Sequence, residues 1–121
     1  MTVQQMFNSF LVLQKLMELK LPIKKAYTIY NLIKQIDEQR KFFIQEEQKL
    51  INKFNAEVLP NGNIQFNSGE SQAQFSQEHF NLMQYEIEDL KIVELTFEDL
   101  AEAEFTPREL MLLEGVVNII E

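Results

Sequence analysis

The chain has no cysteine and a single histidine among its 121 residues. Disulfides and thiolate metal centres are therefore excluded, and a transition-metal site would have to be built mainly from carboxylates. The missing cysteine fits a reducing compartment. Three glycines leave no room for a glycine-rich phosphate loop. No apolar run approaches the ~20 residues a membrane-crossing helix needs. The N-terminus lacks the basic region and apolar stretch of a signal peptide, so none is expected. A nucleophile–base–acid triad would have to recruit His79, and no serine elbow is present.

What remains is the composition of an ordinary globular protein, with 45% hydrophobic and 25% charged residues. Its length favours one domain spanning residues 1–121. The net charge of −8 disfavours direct nucleic-acid binding by the chain as a whole. The charge is also unevenly spread. Residues 1–56 hold nine Lys/Arg against five Asp/Glu, while residues 57–121 hold two against fourteen. The halves thus carry +4 and −12. They either face each other inside one fold or present complementary surfaces to a second copy or partner.

Apolar positions at helical spacing from Val3 to Leu19 predict a first helix over Thr2–Leu19, ended by Pro22. The longest regular pattern runs from Ile23 to Phe54. Ile29, Ile33, Ile36, Phe43, Leu50 and Phe54 form a heptad seam in which Arg40 and Glu47 stand where apolar residues belong. Polar groups on such a seam commonly fix register or oligomeric state. Each needs a partner if the seam is an interface, so Arg40 is expected to meet a carboxylate and Glu47 a Lys, an Arg or solvent. Asn61-Gly62 predicts a hairpin between strands near Glu57–Leu59 and Asn63–Phe66. Ser71 and Gln74 match a capping box, which predicts a helix from Ser71 returning along the long one. The alternation from Lys91 to Phe97 predicts a strand joining the hairpin. Thr106, Pro107 and Glu109 open a last helix, whose apolar residues through Ile120 call for burial. The expected fold class is α+β and predominantly helical: a long antiparallel helical pair, a small β-hairpin or sheet, and a short capped C-terminal helix.

No combination of residues identifies a reaction, a cofactor or a metal, and an enzyme is the least favoured reading. His79 sits at helical spacing with Phe75 and Leu82, which marks a packing or surface residue. The acidic cluster Glu86, Glu88, Asp89, Glu94, Glu98, Asp99, Glu102 and Glu104 is broken only by Lys91 and matches no calcium-loop spacing. It reads as a solvated face or as a surface for a basic partner. The candidate interaction residues are Arg40, Phe43, Glu47, Leu50 and Phe54 on the seam, and Glu94, Glu98, Asp99, Glu102 and Glu104 in the acidic stretch.

Three segments carry a resemblance: Leu21-Pro22-Ile23-Lys24-Lys25-Ala26-Tyr27 opening the long helix, Asn61-Gly62-Asn63 after it, and Phe105-Thr106-Pro107-Arg108-Glu109-Leu110-Met111-Leu112-Leu113-Glu114 near the end. With these the chain resembles an uncharacterised family of small tailed-bacteriophage proteins. The resemblance implies a phage setting, in the host cytoplasm or the virion, and no mechanism. The expected function is a non-enzymatic protein–protein interaction module, a phage structural or assembly component able to form homo-oligomers. The alternative is an acidic inhibitor of a host defence or nucleic-acid-processing enzyme. The partner is a phage or host protein in either case, with no membrane and no cofactor.

Overall fold

A computed structural model describes residues 1–121. The fold is α+β and predominantly helical, and its organising element is α3, Ile23–Lys53. At 1.5 Å per residue this helix is about 46 Å long. Its apolar seam explains where everything else sits. The first two thirds bury Ile29, Leu32, Ile33, Ile36 and Phe43 in a core of 19 residues; the last third reaches beyond that core.

The N-terminal segment packs on the first half of α3, but not as one helix. It divides into α1, Val3–Asn8, and α2, Phe10–Met17. The break falls at Ser9, which is fully buried and whose Oγ donates to the Met6 carbonyl at 3.1 Å. Serine bonded back to its own preceding turn bends a helix, and a small residue lets the two short helices wrap the core. The apolar periodicity runs through the bend unchanged, so it did not register as a boundary. Pro22 caps the start of α3, and its carbonyl accepts from Ala26 N–H.

After α3, Asn55 in the left-handed region (φ 51°) turns the chain into the hairpin of β1, Glu57–Val58, and β2, Ile64–Gln65. Gly62 N–H bonds the Leu59 carbonyl and Leu59 N–H bonds the Asn63 carbonyl. Pro60, Asn61 and Gly62 therefore form a three-residue loop, with only Gly62 (φ 86°) taking positive φ. Helix α4, Gly69–Met83, starts two residues before Ser71 because Ser68 is the cap, accepting from Ser71 N–H at 3.1 Å. It returns antiparallel along α3: Phe75 meets Phe54, Glu78 meets Lys53 and His79 meets Glu47.

The C-terminal third departs most from expectation. Strand β3, Val93–Thr96, does not join the hairpin. It pairs in parallel with β4, Val117–Ile120, in the register Val93 with Val117 and Leu95 with Ile119. Parallel strands need a crossover. Here it is α5, Phe97–Leu100, and α6, Pro107–Leu113. The Thr106–Glu109 capping box forms as expected. Helix α6 nonetheless stops at Leu113, and Val116, Val117, Ile119 and Ile120 continue into the strand. The β-branched side chains of this run favour extended backbone, and pairing with β3 sinks Val116 and Val117 into the core. The burial expected of the apolar C-terminus is thus met largely by a strand.

Candidate functional site

The predicted seam of α3 is consumed inside the chain. Phe43 is in the core, while Leu50 and Phe54 are half-buried, Phe54 edge-on to Phe75 with ring centres 6.3 Å apart. Arg40 makes no ion pair, contrary to the carboxylate expected for it. Its guanidinium carbon lies 4.1 Å from the centre of the Phe10 ring, and its shielded Nε has no hydrogen-bond partner. The reason is positional, since Arg40 faces the N-terminal helices, which present an aromatic ring there. Glu47 meets neither a Lys nor an Arg but the lone histidine: His79 Nε2 lies 2.9 Å from its Oε2, and the His79 ring stacks on Phe75 at 5.3 Å. A carboxylate only accepts, so Nε2 carries the proton. Self-association through this seam loses its support. Replacing Arg40 with Leu sets the loss of a cation–π contact of about 1 kcal/mol against relief of the unpaired buried Nε, worth a similar amount. Stability to urea is therefore expected to change by less than about 1 kcal/mol.

The two oppositely charged halves face each other. Lys25 Nζ is 2.6 Å from Asp99 Oδ2 and Lys15 Nζ is 2.8 Å from Glu109 Oε2. Lys15 also donates to the Glu104 carbonyl, and Lys20 N–H donates to Glu102 Oε2 at 2.9 Å. Of the acidic candidates, Asp99 and Glu102 are thus engaged within the chain. The side chains of Glu94, Glu98 and Glu104 are exposed and unpaired. Nowhere do three His, Asp or Glu side chains converge as a cation site.

Asp99 and Glu109 do double duty. Each caps a short helix through the N–H of Thr96 or Thr106 and ties that helix to a lysine of the N-terminal half. The Lys25 hydrogen bond, then that of Thr96 N–H, holds the Asp99 carboxyl below its ordinary 3.8. Lys15, then Thr106 N–H, holds Glu109 below 4.5. A carboxylate with a depressed folded pKa adds stability that is fully present above its ordinary value and is lost as pH falls through the lowered one. Melting temperature should therefore fall as the solution is acidified below 4.5 and further below 3.8. The double variant Asp99→Asn, Glu109→Gln should be less stable at neutral pH and lose less on acidification. An acid limb as steep as that of the unmodified chain would remove these two bridges from the account.

One concave surface stands apart from these internal contacts. Between α2 and the first half of α3 lies an open groove of about 470 Å³. Leu16, Leu19, Ile29 and Ile33 form its floor; Met17 and Tyr30 form its walls, both more than half exposed. Lys34, Asp37, Glu38 and Lys41 line it along α3. None of these residues was among the sequence candidates. The signal was available in the exposed positions of the long helix, where Tyr27 and Tyr30 stack with ring centres 5.9 Å apart. It was overshadowed by the stronger apolar seam beside it.

No protein-family profile, characterised protein or solved structure matches the chain. No helix is long and apolar enough to cross a membrane.

Proposed function

We propose that the chain is a non-enzymatic protein–protein interaction module, acting in the phage setting that the resemblance implies as a structural or assembly component, in the host cytoplasm or the virion. The observation that carries this reading is the groove between α2 and α3. Its floor is apolar, and Met17, Tyr27 and Tyr30 stand beside it more than half exposed. Exposed aromatic and methionine side chains around an apolar groove, rimmed by charge, are the usual make-up of a docking surface. The inhibitor reading draws less support, because Asp99 and Glu102 of the acidic stretch are engaged with Lys25 and with the backbone of Lys20.

The test is site-specific crosslinking during infection. A photoreactive phenylalanine in place of Tyr30 is expected to crosslink, with products identified by mass spectrometry as virion or assembly proteins. The same probe in place of exposed Phe97, on the opposite half of the sequence, is the control. Products confined to a host nuclease or defence enzyme, or none from Tyr30, would overturn the assembly reading.

A further inference from the structure

Helix α3 carries two heptad lines. The one described above is buried in the chain. The other is Ile23, Tyr27, Tyr30, Lys34, Asp37, Lys41 and Ile44, spaced alternately by four and three residues, and every member is exposed. Ile23 is 81% exposed, Tyr27 59% and Tyr30 58%. Four of the seven also line the groove. A line with this spacing matches the seam of a left-handed two-helix pairing, and nothing in the chain covers it.

We infer that the occupant of this face is a second copy of the chain, its α3 running antiparallel in the register that sets Lys34 against Asp37 of the second copy. This rests on the interaction-module reading and names the partner. The argument is charge complementarity along the line. A parallel pairing would set Lys34, Asp37 and Lys41 each against itself, stacking three like-charge layers. In the antiparallel register, alternate seam positions face each other. Lys34 then meets Asp37 twice, Tyr30 meets Lys41 twice and Tyr27 meets Ile44 twice. The layers are two ion pairs at the centre, two cation–π contacts outside them and two apolar contacts at the ends.

This register alone combines ion-pair, cation–π and apolar layers. Sliding one helix by a heptad towards its N-terminus sets Tyr27 against Asp37 and Ile23 against Lys41. Sliding it the other way keeps two ion pairs, Asp37 with Lys41, but sets Lys34 against Ile44 and asks Tyr27 to reach Ile51, which is buried in its own chain. The paired stretch from Tyr27 to Ile44 is about 27 Å long. Such a strip, with Met17 and the groove floor alongside, lies near the lower end of stable interface sizes. The dimer should therefore form with a dissociation constant on the order of micromolar.

Sedimentation of the full chain across a concentration series tests this. The unmodified chain is expected to pass from monomer to dimer. Lys34→Glu alone and Asp37→Lys alone each turn both central ion pairs into like-charge pairs, and each should weaken the dimer by about tenfold or more. Mixed in equal amounts, the two variants regain complementary layers and should associate with each other. The double variant Lys34→Glu, Asp37→Lys should dimerise again. Both positions are exposed on the helix surface, so circular dichroism and melting temperature should stay near those of the unmodified chain. A strict monomer, a dimer indifferent to both single changes, or single variants that fail to recover on mixing each overturn the pairing. A monomer that still crosslinks through Tyr30 to a virion protein overturns self-pairing and leaves the assembly reading standing. A charge-sensitive dimer whose Tyr30 probe crosslinks only to a second copy of the chain does the reverse.

Discussion

Leu95→Ala is expected to cost the fold about 3 kcal/mol, within the range for emptying a fully buried leucine site. For a chain of this length that corresponds to a melting temperature lower by roughly 10–15 °C. Leu95 has no exposed surface and stands at the middle of β3, its strand neighbour in β4 being Ile119. Strand β3 packs on α3 on one side and leads directly into α5 on the other. The cavity would therefore open where the first half of the long helix, the parallel strand pair and the crossover helices meet. None of these can collapse inward without breaking the capping box of Thr96 and Asp99 or the register of β4. Leu95→Ile keeps the volume and should cost less than about 1.5 kcal/mol. Equilibrium unfolding in urea measures both. If the alanine variant unfolded at the same midpoint as the unmodified chain, the parallel pair would not belong to the core.

That prediction depends on the part of the chain the sequence described least well. Local signals with a single strong period were readable. Helix α3 was visible from 31 residues of apolar spacing, and Thr106–Glu109 from a capping box that needs only four residues. The hairpin followed from Asn61-Gly62, although Pro60 lengthened its loop by one residue. Features set by distant contacts were not readable. The Val116–Ile120 run is apolar enough to suit a buried helix or a buried strand, and only the arrival of Val93–Thr96 beside it selects the strand. Its β-branched composition was the available hint. Ser9 divides α1 from α2 through a hydrogen bond and a tight burial that apolar spacing does not encode.

The candidate site divides in the same way. The polar positions Arg40 and Glu47 were recognised as needing partners, but which surface faced them was a tertiary matter. Phe10 came to lie beside the first and His79 beside the second. The charge split between the halves was legible as complementarity, and the contacts Lys15–Glu109 and Lys25–Asp99 place much of it inside the chain. The groove was not legible, because its floor belongs to two helices whose packing the sequence alone left open.

Phe75→Ala should show that the far end of the long helix is a separate folding unit. Phe75 is 6% exposed, and its ring touches Phe66 at 5.1 Å, His79 at 5.3 Å and Phe54 at 6.3 Å. This aromatic group and Ile51 lie outside the 19-residue core. It holds together the end of α3, the hairpin and the start of α4, and few other apolar contacts secure that tip. Truncating a buried phenylalanine typically costs about 3–5 kcal/mol. A two-stranded hairpin has little stability of its own. That loss should exceed what holds the tip closed while leaving the main core intact. Amide exchange is expected to accelerate in α4 and in the last turns of α3, with Val93–Thr96 and Val116–Val117 still protected. Limited trypsin digestion should cut at Lys49 and Lys53 in the variant and spare Lys15 and Lys25, which are held by Glu109 and Asp99. The self-pairing line ends at Ile44, so the dimer should survive a melted tip. Uniform loss of protection across the chain would instead make tip and core one cooperative unit, with α3 transmitting the damage along its whole length.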